Sequence, residues 1–180
     1  MANPCERMGK LQVGITYDLA KKSKYYEFVD DIENIMSSLA TEVFEKLGVS
    51  GDDETFNIAV KGLENFQQHQ LNELSALVNQ LLSLPDIDED ARSFLNDWIP
   101  GIKYQFEQKY YLKRGPNPQS LQNSYLAVLE HFVPGCFFVT DKFDKNDIKI
   151  KIADFCKNTL LYEIDCLNHV KKAIETYRKK

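Results

Sequence analysis

The sequence is short of the residues that break, staple or metallate a chain. Eight Gly and six Pro in 180 residues leave long stretches free to run as uninterrupted helix. The four cysteines, Cys5, Cys136, Cys156 and Cys166, form no close pair and no metal-ligand spacing, which excludes a disulfide scaffold or a zinc ribbon. Cys156 and Cys166 fall about ten residues apart on one expected helix, too far along its axis to bridge. Three histidines, His69, His131 and His169, make no His-x-x-x-His pair and no Cys/His cluster. Charge of one sign is also lacking. The net charge of −5 is spread over interspersed acids and bases, so the chain shows no basic face of the kind that binds nucleic acid.

Long apolar runs are missing too. No stretch approaches the ~20 apolar residues of a membrane span, and Met1 to Val13 carries Glu6, Arg7 and Lys10 without an apolar core of signal length. These features lead us to expect a cytoplasmic protein with reduced thiols. There is no Gly-rich phosphate loop, no Gly-x-Ser-x-Gly elbow and no Glu-x-x-His di-iron repeat. Asp86, Asp88 and Asp90 form an Asp-x-Asp-x-Asp run, but the loop glycine and closing glutamate of a calcium hand are absent. They read as carboxylates at a helix N-terminus. Asp30-Asp31 and Asp52-Asp53 read as capping or solvated charge. The basic C-terminus (Lys171, Lys172, Arg178, Lys179, Lys180) suits a helix end. No catalytic constellation stands out, and the expectation is a protein that is not an enzyme.

What the chain has is helical periodicity. Apolar and charged fractions of 43% and 27% belong to a globular rather than a disordered chain. Residues 1–24 read as an N-terminal lead-in, and residues 25–180 as a helical domain. The first helix, Tyr25 to Leu47, repeats Phe28, Ile32, Ile35, Met36, Leu39, Val43, Phe44 and Leu47 at threes and fours. The second runs from Glu54 to Leu84, where Pro85 stops it; the polar patch Gln67-Gln68-His69-Gln70 predicts a bend or a break. The third, Ala91 to Lys113, contains Pro100, which predicts a kink or a split. A fourth runs from Pro118 to Phe132. The last extends from Asp144 or Asn146 to Arg178, although Ile148-Lys149-Ile150-Lys151-Ile152 alternates like a strand. Its longer stripe, Ala153, Cys156, Leu160, Ile164, Leu167, Val170, Ile174 and Tyr177, is helical and narrow enough for a partner helix. The fold class is all-α, with five to seven helices and a long C-terminal one.

The aromatic load is high: eleven Phe, nine Tyr and one Trp, with Trp98, Tyr104, Phe106, Tyr110, Tyr111 and Tyr125 in the third and fourth helices. Such residues fill a core, or line a cavity between helices.

Between those two helices lies Arg114-Gly115-Pro116-Asn117-Pro118-Gln119-Ser120-Leu121 through Tyr125. Gly115 suits the left-handed residue that ends a helix, and Pro118 suits the first turn of the next. This corner, with the helix order around it, resembles the sensor-globin group: haem domains of globin-coupled receptors and haemless stressosome scaffold domains. Arg114 departs from that pattern, which has an apolar residue before the Gly. The resemblance implies a globin-like sensory domain that binds a small apolar ligand or haem and passes a signal through its C-terminal helix. It places haem's proximal histidine about four residues before the Gly, where this chain has Tyr111, so the haemless version is the better fit. On this reading Trp98, Phe106, Tyr111, Tyr125 and His131 line the ligand site, and Tyr111 or His131 holds the iron if haem binds. His69 and His169 are expected at the surface. Leu160, Ile164, Leu167 and Val170 are the expected homodimer face, and a protein partner receives the signal. The alternative is a non-enzymatic helical interaction module of the adaptor or immunity type, using an acidic surface on a basic partner.

Overall fold

The computed structural model describes residues 27–49, 54–113, 115, 117–126, 139, 142–143 and 145–179, and every regular element among them is helical. Helix α1, Val29–Thr41, buries Val29, Ile32, Met36 and Ala40, spaced by threes and fours as an amphipathic helix requires. It passes into a π-helical turn, Glu42–Lys46, in which the Leu47 amide bonds the Glu42 carbonyl at 2.9 Å. The wider turn lets the adjacent residues Val43 and Phe44 both face inward. Gly48, at φ +65°, ends it in the left-handed region.

Helix α2, Glu54–Leu82, is a single element of 29 residues. The break expected at Gln67–Gln70 does not occur, because half of that patch faces inward. Gln67 and Gln70 are buried, and the Gln70 side chain accepts a 2.8 Å bond from the Thr159 hydroxyl. A buried amide with a partner is no reason for a helix to stop.

Helix α3, Glu89–Gln108, starts where Asp88 accepts bonds from the Asp90 and Ala91 amides at 2.8 and 3.2 Å. The acidic lead-in is therefore an N-cap. Pro100 lies inside α3 without dividing it. The division comes at Lys109, which takes φ +46°, and α4, Tyr110–Lys113, is one further turn. Gly115 is left-handed at φ +76°. Asn117 then accepts from the Gln119 and Ser120 amides at 3.0 and 3.4 Å and so caps α5, whose described part spans residues 118–126. Gly115 and Pro118 stand where their chemistry predicts, at the left-handed residue and in the first turn of α5.

Helix α6, Asn146–Arg178, has 33 residues and is about 50 Å long. The alternating start resolves as helix: Ile148 and Ile152 are buried while Ile150 points outward. Helix α6 packs on α2 and α1, and α2 also carries α3. Among the described residues no helix is long and apolar enough to cross a membrane.

Candidate functional site

The site is organised by the contact of α2 with α6. Gly62 makes that contact possible: a Cβ there would stand 2.5 Å from Val170 Cγ2 and 2.9 Å from Tyr125 Oη. Tyr125 is fully buried. Its hydroxyl donates to the Ala59 carbonyl at 2.7 Å and its ring lies 5.6 Å from that of Phe44, so it ties α5 to α2 beside the π turn.

The inner face of α6 presents Cys156, Thr159, Leu160, Glu163, Leu167, Val170 and Ile174. Glu163 is 0% exposed, and neither carboxylate oxygen has a hydrogen-bond partner. Two hydroxyls around it are committed elsewhere. Thr159 bonds Gln70 and the Phe155 carbonyl, and Tyr125 bonds Ala59. Burial alone pushes the Glu163 carboxyl well above the usual carboxylate range, which favours its protonated form. Burial, then Cys166, Glu163 and Tyr111, likewise pushes the Tyr125 phenol well up. The Cys166 thiol is raised to about 11, chiefly by burial, against the opposing Tyr162 hydroxyl. A thiol held protonated is a poor nucleophile and a poor metal ligand.

Outside this polar layer a groove of about 500 Å³ runs between α2 and α6. Ile58, Gly62, Cys166, Val170 and Ala173 form its floor, with Lys61, Asn65, Asp165 and His169 around it. Tyr162 closes one end, its ring stacked 3.8 Å from that of His69. A second hollow of about 470 Å³ shares Ile58, His169 and Ala173 and extends to Lys172, Thr176 and Tyr177. His169 Nδ1 lies 2.8 Å from the Asp165 carbonyl. A carbonyl only accepts, so Nδ1 carries the proton of this bond.

The residues expected to form a ligand site lie elsewhere. Trp98 is fully buried and packs on Phe94 at 5.3 Å, and its indole N–H has no partner. Phe106 is half-buried against the core. Tyr111 is buried. Its hydroxyl is pushed up to about 12, first by burial and then by the Glu64 carboxylate. Lys109 holds that carboxylate at 3.2 Å, and the Tyr111 hydroxyl makes no well-formed hydrogen bond. Tyr111 and Tyr125 are close enough for one to act on the other's ionisation. None of these four is a lining residue of the α2–α6 groove, and Tyr125 comes nearest, just behind Gly62. His131 lies outside the described residues.

The expected dimer stripe is used within the chain. Leu160 and Leu167 are 0% exposed and Val170 is 3% exposed, on the helix that packs against α2 and α1. Ile164 is half-buried. That seam is already filled by the chain's own helices and cannot serve as a dimer face while α6 stays packed. His169 is exposed, as expected, yet it also edges the groove.

Sequence reasoning passed over Gly62 and Glu163, and read Gln70 only as part of an exposed-looking polar patch. A signal for Glu163 existed: Leu160, 163 and Leu167 keep the three-and-four step as well as Leu160, Ile164 and Leu167 do. Among the described residues no cluster of three or more His, Cys, Asp or Glu is arranged to hold a metal ion. Comparison of the chain with protein-family models, with curated proteins and with solved structures gave no match.

Proposed function

We propose that this protein is a non-catalytic, all-α sensory domain in which occupancy of the α2–α6 groove is relayed by the packing of α6 onto a protein partner. The observation that carries the reading is Glu163, a fully buried carboxyl without a partner on the inner face of α6. A buried polar group left unsatisfied costs about 1–3 kcal/mol, so α6 is held less firmly than its apolar stripe allows. A binder touching Cys166 and Val170 at the groove acts on the same stretch of helix. Its differential affinity for two packings of α6 is all that a relay needs. The sensor-globin resemblance of the Gly115 corner supports the sensory part.

A small apolar ligand is the second reading. It is favoured by the groove's volume of about 500 Å³, within the range typical of small-molecule sites.

The test is hydrogen exchange of residues 146–178, with and without the neutral apolar dye Nile red, in wild type and in Glu163→Leu. The relay expects dye binding to change protection along α6 in wild type, and the change to shrink in Glu163→Leu. Dye bound at the groove with α6 protection unaltered sinks the relay.

A further inference from the structure

The occupant of the groove has a recognisable chemistry. Along α6 the two hollows run from Tyr162 to Tyr177, a span of roughly 22 Å, and they are open to solvent along that length. A groove so long and open fits an extended element better than a compact molecule. Its floor mixes the branched residues Ile58 and Val170 with the small residue Ala173, and a small residue lets an incoming helix backbone approach closely. Tyr177, 43% exposed, stands at the far end as an aromatic anchor with a polar tip.

The flanks supply the sign. Lys61 on α2 lines the first hollow and Lys172 on α6 lines the second, and both are exposed. Among the described residues neither has an ion-pair partner. Other lysines are paired: Lys171 with Glu42, and Lys109 with Glu64. Against these two ammonium groups the groove carries, among the described residues, one carboxylate, Asp165, with His169 one turn further along α6. We infer that the α2–α6 groove docks an amphipathic helix of a partner protein, its apolar face on Ile58, Val170 and Ala173 and its acidic flanks against Lys61 and Lys172. The inference rests on the groove being the binding face of the proposed function. It is helix-in-groove recognition, with anchors at i, i+3, i+4 and i+7 and charge fixing partner and register.

The experiment uses the full chain and two synthetic helix-forming peptides with identical Leu/Ala faces, one flanked by Glu and the other by Lys. Binding is read by fluorescence anisotropy at two salt concentrations, and α6 protection by hydrogen exchange. The Glu-flanked peptide is expected to bind roughly tenfold more tightly than the Lys-flanked one, and to weaken with salt. The order of preference is expected to invert in the Lys61→Glu/Lys172→Glu double variant. These substitutions are at exposed positions, so folding is preserved and is checked by circular dichroism. Equal binding of both peptides, or a preference that survives the double variant, overturns the inference. So does a groove that takes Nile red but neither peptide, which leaves the relay standing with a small molecule as occupant. Concentration-dependent self-association in sedimentation, abolished by Lys61→Glu, overturns it in favour of a second copy of the chain. Peptide binding that inverts as expected but leaves α6 protection unchanged upholds the helix and removes the relay.

Discussion

Gly62 and Tyr125 are placed so that each depends on the other: the Tyr125 hydroxyl lies 2.9 Å from the point a Cβ on residue 62 would occupy. The missing side chain lets that hydroxyl reach the Ala59 carbonyl at 2.7 Å, and lets Val170 close over α2. Gly62→Ala is expected to destabilise the fold by about 1–3 kcal/mol, as overpacking does. Tyr125→Phe should lose about 1 kcal/mol by leaving Ala59 without its side-chain donor. Because both act on one contact, the double variant should cost less than the sum. Urea denaturation of the four proteins checks this, and strict additivity would refute the coupling.

Glu163 predicts the pH dependence of stability. Its folded-state carboxyl is raised well above the ordinary value of 4.5 by burial, so the folded chain holds a proton that the unfolded chain gives up more readily. Stability from this group is fully present below about pH 4.5 and falls as pH rises toward the folded value, by up to about 1.4 kcal/mol per pH unit. Glu163→Gln should remove that slope, and Glu163→Leu should raise stability by about 1–3 kcal/mol at pH 7. Melting curves at pH 5, 6, 7 and 8 measure it. A wild-type slope retained in Glu163→Gln assigns the effect to another group.

The helices were legible because their causes are local. Threes and fours of apolar residues, Asp88 before α3, and the Gly115–Pro118 corner act within a few residues, and each appears where its chemistry predicts. The Gln67–Gln70 patch did not end its helix, because a tertiary contact matched its buried amide, and Pro100 did not split α3. Helix α3 continues past Pro100 and ends at Lys109, whose side chain reaches Glu64 on α2. Gln70 is matched by Thr159, far away in sequence. The groove was illegible because α2 and α6 are joined by residues about 100 positions apart, and no periodicity says which two stripes will meet. Aromatic residues pointed to α3, α4 and α5 for a cavity, but Trp98, Tyr111 and Tyr125 are core filling there.

Tyr111 bears on haem. Iron ligation by a tyrosine needs the phenolate, and burial with Glu64 alongside pushes this hydroxyl up to about 12. In an ultraviolet titration Tyr111→Phe should therefore remove a tyrosine that ionises well above the usual value near 10. Hemin added to wild type and to Tyr111→Phe should give the same spectrum. A Soret band with one-to-one uptake that vanishes in Tyr111→Phe would instead make Tyr111 an iron ligand. Stability should change little, or rise by up to about 1 kcal/mol, since the substitution removes a buried hydroxyl that makes no well-formed bond.

The stripe on α6 separates a dimer face from a core face. Leu167 is 0% exposed, whereas Ile164 is half-buried on the next position around the helix. If the stripe joined two copies, Ile164→Asp and Leu167→Asp would both yield a folded monomer, and wild-type stability would rise with protein concentration. With the stripe packed on α2 and α1, Leu167→Asp instead places a carboxylate in the core, where an unpaired charge is not tolerated. It should unfold the chain or leave it more than about 3 kcal/mol less stable. Ile164→Asp, nearer solvent, should cost less and leave a cooperative melt. Sedimentation and thermal melting at two protein concentrations decide it. Concentration-dependent stability in wild type, lost in a folded Leu167→Asp monomer, would return the stripe to an interface between chains.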